Sequence, residues 1–306
     1  MDDDLQLARR AASAGAAVGL RYFAALAGLP RELKADGSIV TAADRAVESA
    51  IREVIAAARP RDAILGEEGG QTGDGGRRWI IDPIDGTALF VAGDDRWLVL
   101  IALEEAGEIV AGVAAVPAQG RTWWARRGGG AYEAADGVPE RRTAVAADRP
   151  DDLASSRLAV LDTEPAVVAP LVAVVPALPW DVHPALLVAR GDLDLALQTN
   201  GQVWDFAATS LIVEEAGGSY RGLDGRRGPA PSSVIMRLAP PGTGSGRRQP
   251  NDQPKVQWAG HTGPDQVCRS VNSTANPAPI DNRMPTMPNT RPISAELPPF
   301  APPRRP

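Results

Sequence analysis

The sequence predicts a mixed α/β (α+β) protein built from alternating layers of helix and sheet, and three observations carry that class. The segment TAADRAVESAIREVIAAA repeats Val47, Ile51, Val54 and Ala58 at helical spacing. Two runs, AILGEEGG and RWIIDPIDG, are apolar and then break into polar turns, as buried strands do. A second helix pattern, VWDFAATSLIVEEAGG, follows a strand-rich middle.

Along the chain, residues 4–27 are rich in Ala and Leu and predict a first helix. The second helix begins at a capping box, Thr41 to Asp44. WLVLIALEEAGEIVAGVAAVP reads as a buried hairpin that turns near Ala106–Gly107. RTWWARRGGGAYEA has the aromatic content of another strand pair around a glycine turn. The late helix is expected to open at Asp205 and to stop at Gly217–Gly218.

At 306 residues the chain has room for two domains or one large layered unit, and 44% hydrophobic residues supply a core. A net charge of -6 argues against a general partner for nucleic acid or for anionic membranes. The start, MDDDLQLARR, has no apolar run of the secretory kind. Pro165 to Trp180, the longest uncharged stretch, carries four prolines and is too short to span a bilayer. Cys268 is the single cysteine and permits no internal disulfide. A cytoplasmic protein is expected.

Composition breaks near Arg237. Asn200 is the one asparagine before it, five follow it, and fifteen of the 28 prolines lie beyond it. Residues 238–306 therefore read as a Pro-rich disordered tail on a unit spanning 1–237. An abrupt change of this kind is also what a shifted reading frame produces.

Four acidic positions sit where apolar segments end: Glu67, Asp82, Asp85 and Asp205. A carboxylate taken out of water is costly unless it is paired or bound to a metal. Hard cations such as Mg²⁺ want oxygen ligands, and two ions bridged by a shared carboxylate form a clamp for displacement at phosphorus. Asp-Pro-Ile-Asp suits that use, because proline stiffens the turn and brings no N–H to satisfy. Gly86 and Thr87 then allow a phosphate to approach backbone N–H groups. Each acid also has a plain alternative: Asp44 as the third residue of a capping box, Asp205 as a helix N-terminal charge, and Glu67–Glu68 as a solvated turn.

Together, GEE at 66–68, DPIDGT at 82–87, WDFAA at 204–208 and EEAGG at 214–218 resemble the inositol monophosphatase superfamily, in its order. KADGSIVTAADRAVES at 34–49 matches the segment ahead of the first metal ligand. The resemblance covers roughly residues 4–237. It implies a layered α-β-α-β-α sandwich, Mg²⁺-dependent hydrolysis of a phosphate monoester with two or three ions, and a homodimer. It implies that Glu67, Asp82 and the Ile84 carbonyl hold one ion, and that Asp82, Asp85 and Asp205 hold a second. Thr87 would bind the attacking water and Asp44 would accept from the Thr87 hydroxyl. Asp85, Gly86, Thr87, Asp181, Gln198 and Asp205 are the expected substrate contacts. In this family a final strand and a last helix close the second half, about 136–237; here SSVIM supplies the strand and no helix pattern follows.

Within the superfamily the histidinol-phosphatase branch is the nearest likeness, on TAADRAVES, Trp97 in RWLVLIAL, and RTWWARRGGGAY. The small phosphorylated metabolite expected is thus histidinol phosphate, with inositol 1-phosphate or another sugar or nucleotide monoester as the alternative. Three positions depart from the family's pattern: Leu89 in place of asparagine, Gln198 in place of a substrate-contacting glutamate, and the bulky Trp180 with His183 nearby. His183 reads as a satisfied structural histidine, with a place lining the site as the alternative. A non-enzymatic alternative is a weakly active relative working through PPFAPPRRP, where Pro299, Pro302 and Arg304 resemble a polyproline ligand.

Overall fold

The first helix, α1 (Asp4–Phe23), starts at Asp3, whose side chain accepts from the Leu5 N–H. It buries Leu7, Ala8, Ala11 and Ala12 on one face and ends at Phe23, short of the expected 27. A 3₁₀ turn at Leu26–Gly28 replaces its last turn, just ahead of Pro30. The structure, a computed structural model, describes residues 3–34, 39–147, 150, 152–161, 164–223 and 234–238. The expected tail, apart from Leu238, and the question of a last helix lie outside the described residues.

A short antiparallel pair, β1 (Arg31–Leu33) and β2 (Ile39–Thr41), leads into α2 (Ala42–Ala58) through the expected capping box. Seven further strands and one helix complete the first half in sequence order. They are β3 (Ala63–Gly66), β4 (Gly70–Thr72), β5 (Arg77–Asp85), α3 (Thr87–Ala92), β6 (Leu98–Glu105), β7 (Glu108–Val116), β8 (Arg121–Arg126) and β9 (Gly130–Ala135). With β10 (Val138–Thr143) they form an eight-stranded sheet of order β10-β9-β8-β7-β6-β5-β3-β4, antiparallel except between β3 and β5. The β6–β7 hairpin turns at Ala106 and Gly107, with φ of 52° and 81°. Both lie in the left-handed region that a two-residue hairpin turn demands.

The second half contributes β11 (Leu158–Leu161), α4 (Pro165–Val172), α5 (Pro184–Arg190), β12 (Leu195–Gln198), α6 (Val203–Glu215), β13 (Gly218–Gly222) and β14 (Val234–Leu238). Its four-stranded sheet has the order β11-β12-β14-β13, with β11 and β12 parallel.

Side-chain alternation sorts the core into layers. On β5, Trp79 and Ile81 join Val47, Ile51 and Leu7 of α1 and α2. Ile80 points the other way, into a cluster with Val182, Leu186, Phe206 and Leu211. That second cluster continues through Ala159, Ala196 and Tyr220 onto the inner face of the small sheet. The outer face of the small sheet, Leu158, Leu195 and Leu197, is covered by Val168 and Leu171 of α4. The order is α1/α2, large sheet, α5/α6, small sheet, α4: the five-layered α-β-α-β-α sandwich that the sequence implied. Among the described residues, no helix is long and apolar enough to cross a membrane.

Candidate active site

The site begins with an irregularity in β5. In a regular strand, residues three apart face opposite sides. Here Asp82 pairs with Leu100 while Asp85 pairs with Leu98, so three steps on β5 are matched by two on β6. The extra residue is a β-bulge at Pro83–Ile84, and it returns Asp85 to the side of the sheet that Asp82 faces. Gly86 follows in the left-handed conformation, φ 80°, and starts α3 at Thr87.

Asp205 arrives on that same side from α6. The helix presses so closely on β7 that a Cβ on Gly112 would lie 3.0 Å from the Ala208 carbonyl oxygen. Asp205 is the third residue of α6, not its first, and its carboxylate accepts from the Gln202 N–H as half of a capping box. Asp82, Asp85 and Asp205 bring one carboxylate oxygen each to within 4.8 Å of one another.

Glu67 completes the group from the turn after β3. That turn is pinned by a residue the sequence reading passed over: Glu48 of α2, 2% exposed, accepts from the Glu68 N–H at 2.7 Å and the Gly69 N–H at 2.9 Å. Lys34, also passed over, donates at 2.6 Å to both Glu67 and Glu68. It stands in KADGSIVTAADRAVES, and an isolated lysine ahead of an acidic helix was the available signal.

These residues surround one cavity of about 600 Å³, a size that suits a small ligand. Its walls include Glu67, Asp82, Ile84, Asp85, Thr87 and Asp205 on one side, with Arg96, Val160, Leu161, Trp180 and His183 on the other. Asp181 and Gln198 are absent from these walls. The side chain of Asp181 is exposed, and Gln198 is buried at the end of β12 with its Oε1 making no hydrogen bond among the described residues. Arg96 is the other residue not anticipated. Its guanidinium grips Asp94 at 2.6 and 2.8 Å, stacks 4.3 Å over the Trp180 ring and donates to the Trp180 carbonyl at 3.0 Å.

Thr87 Oγ1 lies 3.1 Å from Asp44 Oδ1 and 3.0 Å from the Ile84 carbonyl oxygen. One hydroxyl proton faces two acceptors, so only one of them receives it at a time. Asp44 meanwhile keeps its capping role, because its Oδ2 accepts from the Thr41 N–H and hydroxyl at 2.8 and 2.7 Å. Its two oxygens serve helix and site separately.

The electrostatics are those of a cation trap. Burial pushes the Asp82 carboxyl well above the carboxylate range, and the charges of Glu67, Asp85 and Asp205 push it further. Burial likewise raises Glu67, against the opposing ammonium of Lys34. Lys34 is itself lowered by burial but raised overall by its hydrogen bonds to the two glutamates. Asp82 Oδ1 is buried and accepts no hydrogen bond among the described residues. An orphaned carboxylate oxygen beside two more carboxylates and a main-chain carbonyl is a donor set that fits a hard divalent cation.

His183 both lines the cavity and caps α5, its Nδ1 accepting from the Ala185 N–H at 3.2 Å. Burial pushes its imidazole down to about 4, so it is neutral at pH 7. The helix-capping role is real, but the ring is only half satisfied, because Nε2 makes no hydrogen bond among the described residues.

Comparison with known proteins agrees with this geometry. Residues 1–247 match the model of the inositol monophosphatase family. The chain is 40% identical over 242 residues to histidinol-phosphatase of Mycobacterium tuberculosis, covering 76% of this chain and 92% of that one. It is 40% identical over 240 residues to histidinol-phosphatase of Streptomyces coelicolor, covering 74% and 89%. Among solved structures, the extragenic suppressor protein suhB of Bartonella henselae superposes with a TM-score of 0.66 at 29% identity, over 76% of this chain and 93% of that one. With fold, site and relatives in agreement, the chain belongs to the inositol monophosphatase family and is a phosphoric monoester hydrolase.

Proposed function

We propose that this phosphatase hydrolyses histidinol phosphate with Mg²⁺, as a cytoplasmic homodimer whose working unit is residues 1–237. The observation that carries the metal-dependent chemistry is the convergence of Glu67, Asp82, Asp85 and Asp205 on one cavity floor. The 40% identity to two histidinol-phosphatases supports the choice of ester.

Glu67, Asp82 and the Ile84 carbonyl would hold one ion, and Asp82, Asp85 and Asp205 the other. Bound there, the ions supply an acidified water and neutralise charge on the phosphoryl oxygens. The protein's own part is positional. Asp44, held by Thr41, accepts a hydrogen bond from the Thr87 hydroxyl, and the Thr87 oxygen is left to accept one from a water. Gly86 and Thr87 offer backbone N–H groups to the phosphate. The alcohol part of the ester faces Val160, Leu161, Trp180 and His183, a wall bulkier than a polyol needs. Asp181 and Gln198 stand beside this part, next to Trp180 and His183 and to Leu161.

The test is phosphate release from histidinol phosphate, inositol 1-phosphate, fructose 1,6-bisphosphate and 3′-phosphoadenosine 5′-phosphate, with Mg²⁺ or with EDTA. Turnover of histidinol phosphate that requires Mg²⁺ and exceeds the others supports the proposal. Preference for inositol 1-phosphate sinks the choice of ester, and turnover in EDTA sinks the metal. Sedimentation of the full chain checks the dimer.

A further inference from the structure

His183 has one ring nitrogen committed and one without a partner. The Ala185 N–H donates to Nδ1 at 3.2 Å, so Nδ1 carries the lone pair and the proton of the neutral ring sits on Nε2. The residue is 3% exposed, and Nε2 makes no hydrogen bond among the described residues. A buried donor of this kind is costly to leave unmade. Pro184 fixes the backbone beside it, and the cap on α5 fixes the ring, so Nε2–H cannot simply turn away. It points to the cavity, where Asp85 Oδ2 is 3.9 Å off. That is about 1 Å beyond a hydrogen bond. A relative movement of about 1 Å between the two side chains would close the gap.

We propose that His183 is a positioning residue for Asp85. Its Nε2–H binds Asp85 Oδ2, chooses between the two carboxylate oxygens and leaves Oδ1 turned to a bound cation. Ligand carboxylates and histidines are commonly oriented by outer hydrogen bonds of this sort. The inference rests on the proposed metal reading, and nothing in the role needs His183 to ionise.

Two substitutions separate the two nitrogens. His183→Asn keeps an acceptor where Nδ1 is and removes the distal donor. His183→Gln places an amide N–H near Nε2 and gives up the cap. Calorimetric titration of the full chain with Mg²⁺ should show affinity about tenfold weaker in H183N, with a metal-free melting temperature close to wild type. H183Q should melt lower without metal and yet bind Mg²⁺ within about threefold of wild type. H183N binding Mg²⁺ as tightly as wild type would overturn the assignment. Wild type failing to bind Mg²⁺ would instead overturn the metal reading beneath it. A measurement on the wild type alone guards against misfolded variants: the chain has two histidines, so ¹⁵N-labelled imidazoles are easily told apart. His183 should be the Nε2–H tautomer at pH 7, with that proton shifting on addition of Mg²⁺; an Nδ1–H tautomer refutes the idea.

Discussion

Asp82 is 1% exposed, carries an oxygen without a hydrogen bond among the described residues, and has its pKa raised by burial and by three neighbouring acids. Such a residue weakens the fold that holds it until a cation arrives. Asp82→Asn should therefore lose nearly all Mg²⁺-dependent phosphate release while the metal-free protein gains about 1–3 kcal/mol of stability. Paired urea melts and phosphate assays in EDTA and Mg²⁺ check both halves, and a destabilised D82N would contradict the account. His183 gives a pH prediction of definite sign. The unfolded imidazole takes its proton near its ordinary value of 6.5, whereas the folded one waits until about 4. Between those values the unfolded state binds more protons, so acidification destabilises the fold. From pH 7 to pH 5 the wild type should lose about 2 kcal/mol more than H183N, measured in EDTA. Equal losses would mean that burial does not hold the ring neutral.

At the scale of elements, two packing details aim the carboxylates. The bulge in β5 puts Asp82 and Asp85 on one side, and α6 brings Asp205 to it. The second depends on the absence of a side chain at Gly112, where β7 meets Ala208. Gly112→Val should push α6 outward, cost about 1–3 kcal/mol and weaken Mg²⁺ binding, although residue 112 touches no ligand. Thermal melts and Mg²⁺ titration of G112V provide the check; unchanged Mg²⁺ affinity would show that α6 does not set Asp205. The capping boxes of α2 and α6 carry a related lesson. Asp44 was open to a capping-box reading and Asp205 to that of a helix N-terminal charge, and in both the helix role and a place at the site proved compatible. A carboxylate has two oxygens, and a helix N-terminus uses one.

Over the whole molecule, the cavity takes its floor from the large sheet and α6 and its wall from β11 and the segment before α5. A cation there neutralises acids drawn from both halves, so it binds the folded chain and not the unfolded one. Mg²⁺ at about a hundred times its dissociation constant should stabilise the enzyme by about 2.7 kcal/mol, or roughly 5–10 °C in melting temperature. Differential scanning calorimetry with Mg²⁺ and with EDTA tests this, and Mg²⁺-independent melting would refute it. Most of the fold and the four acids were legible because they depend on local pattern: period 3.6 in α2, apolar runs that end in acids, and motifs such as DPIDGT and WDFAA. Glu48, Lys34 and Arg96 escaped notice because each acts on residues twenty or more positions away, and a charged side chain by itself names no partner. Asp181 and Gln198 were expected at the site by analogy; neither lines the cavity, although Trp180 and His183 around Asp181 and Leu161 beside Gln198 do. The amino-acid order alone thus determined the alternation of helix and sheet, the capping box of α2 and which carboxylates were candidates. Only the folded chain decided which of them share a cavity and which partner the His183 Nε2–H faces, because proximity between distant residues comes from sheet register and layer packing, which no short stretch encodes.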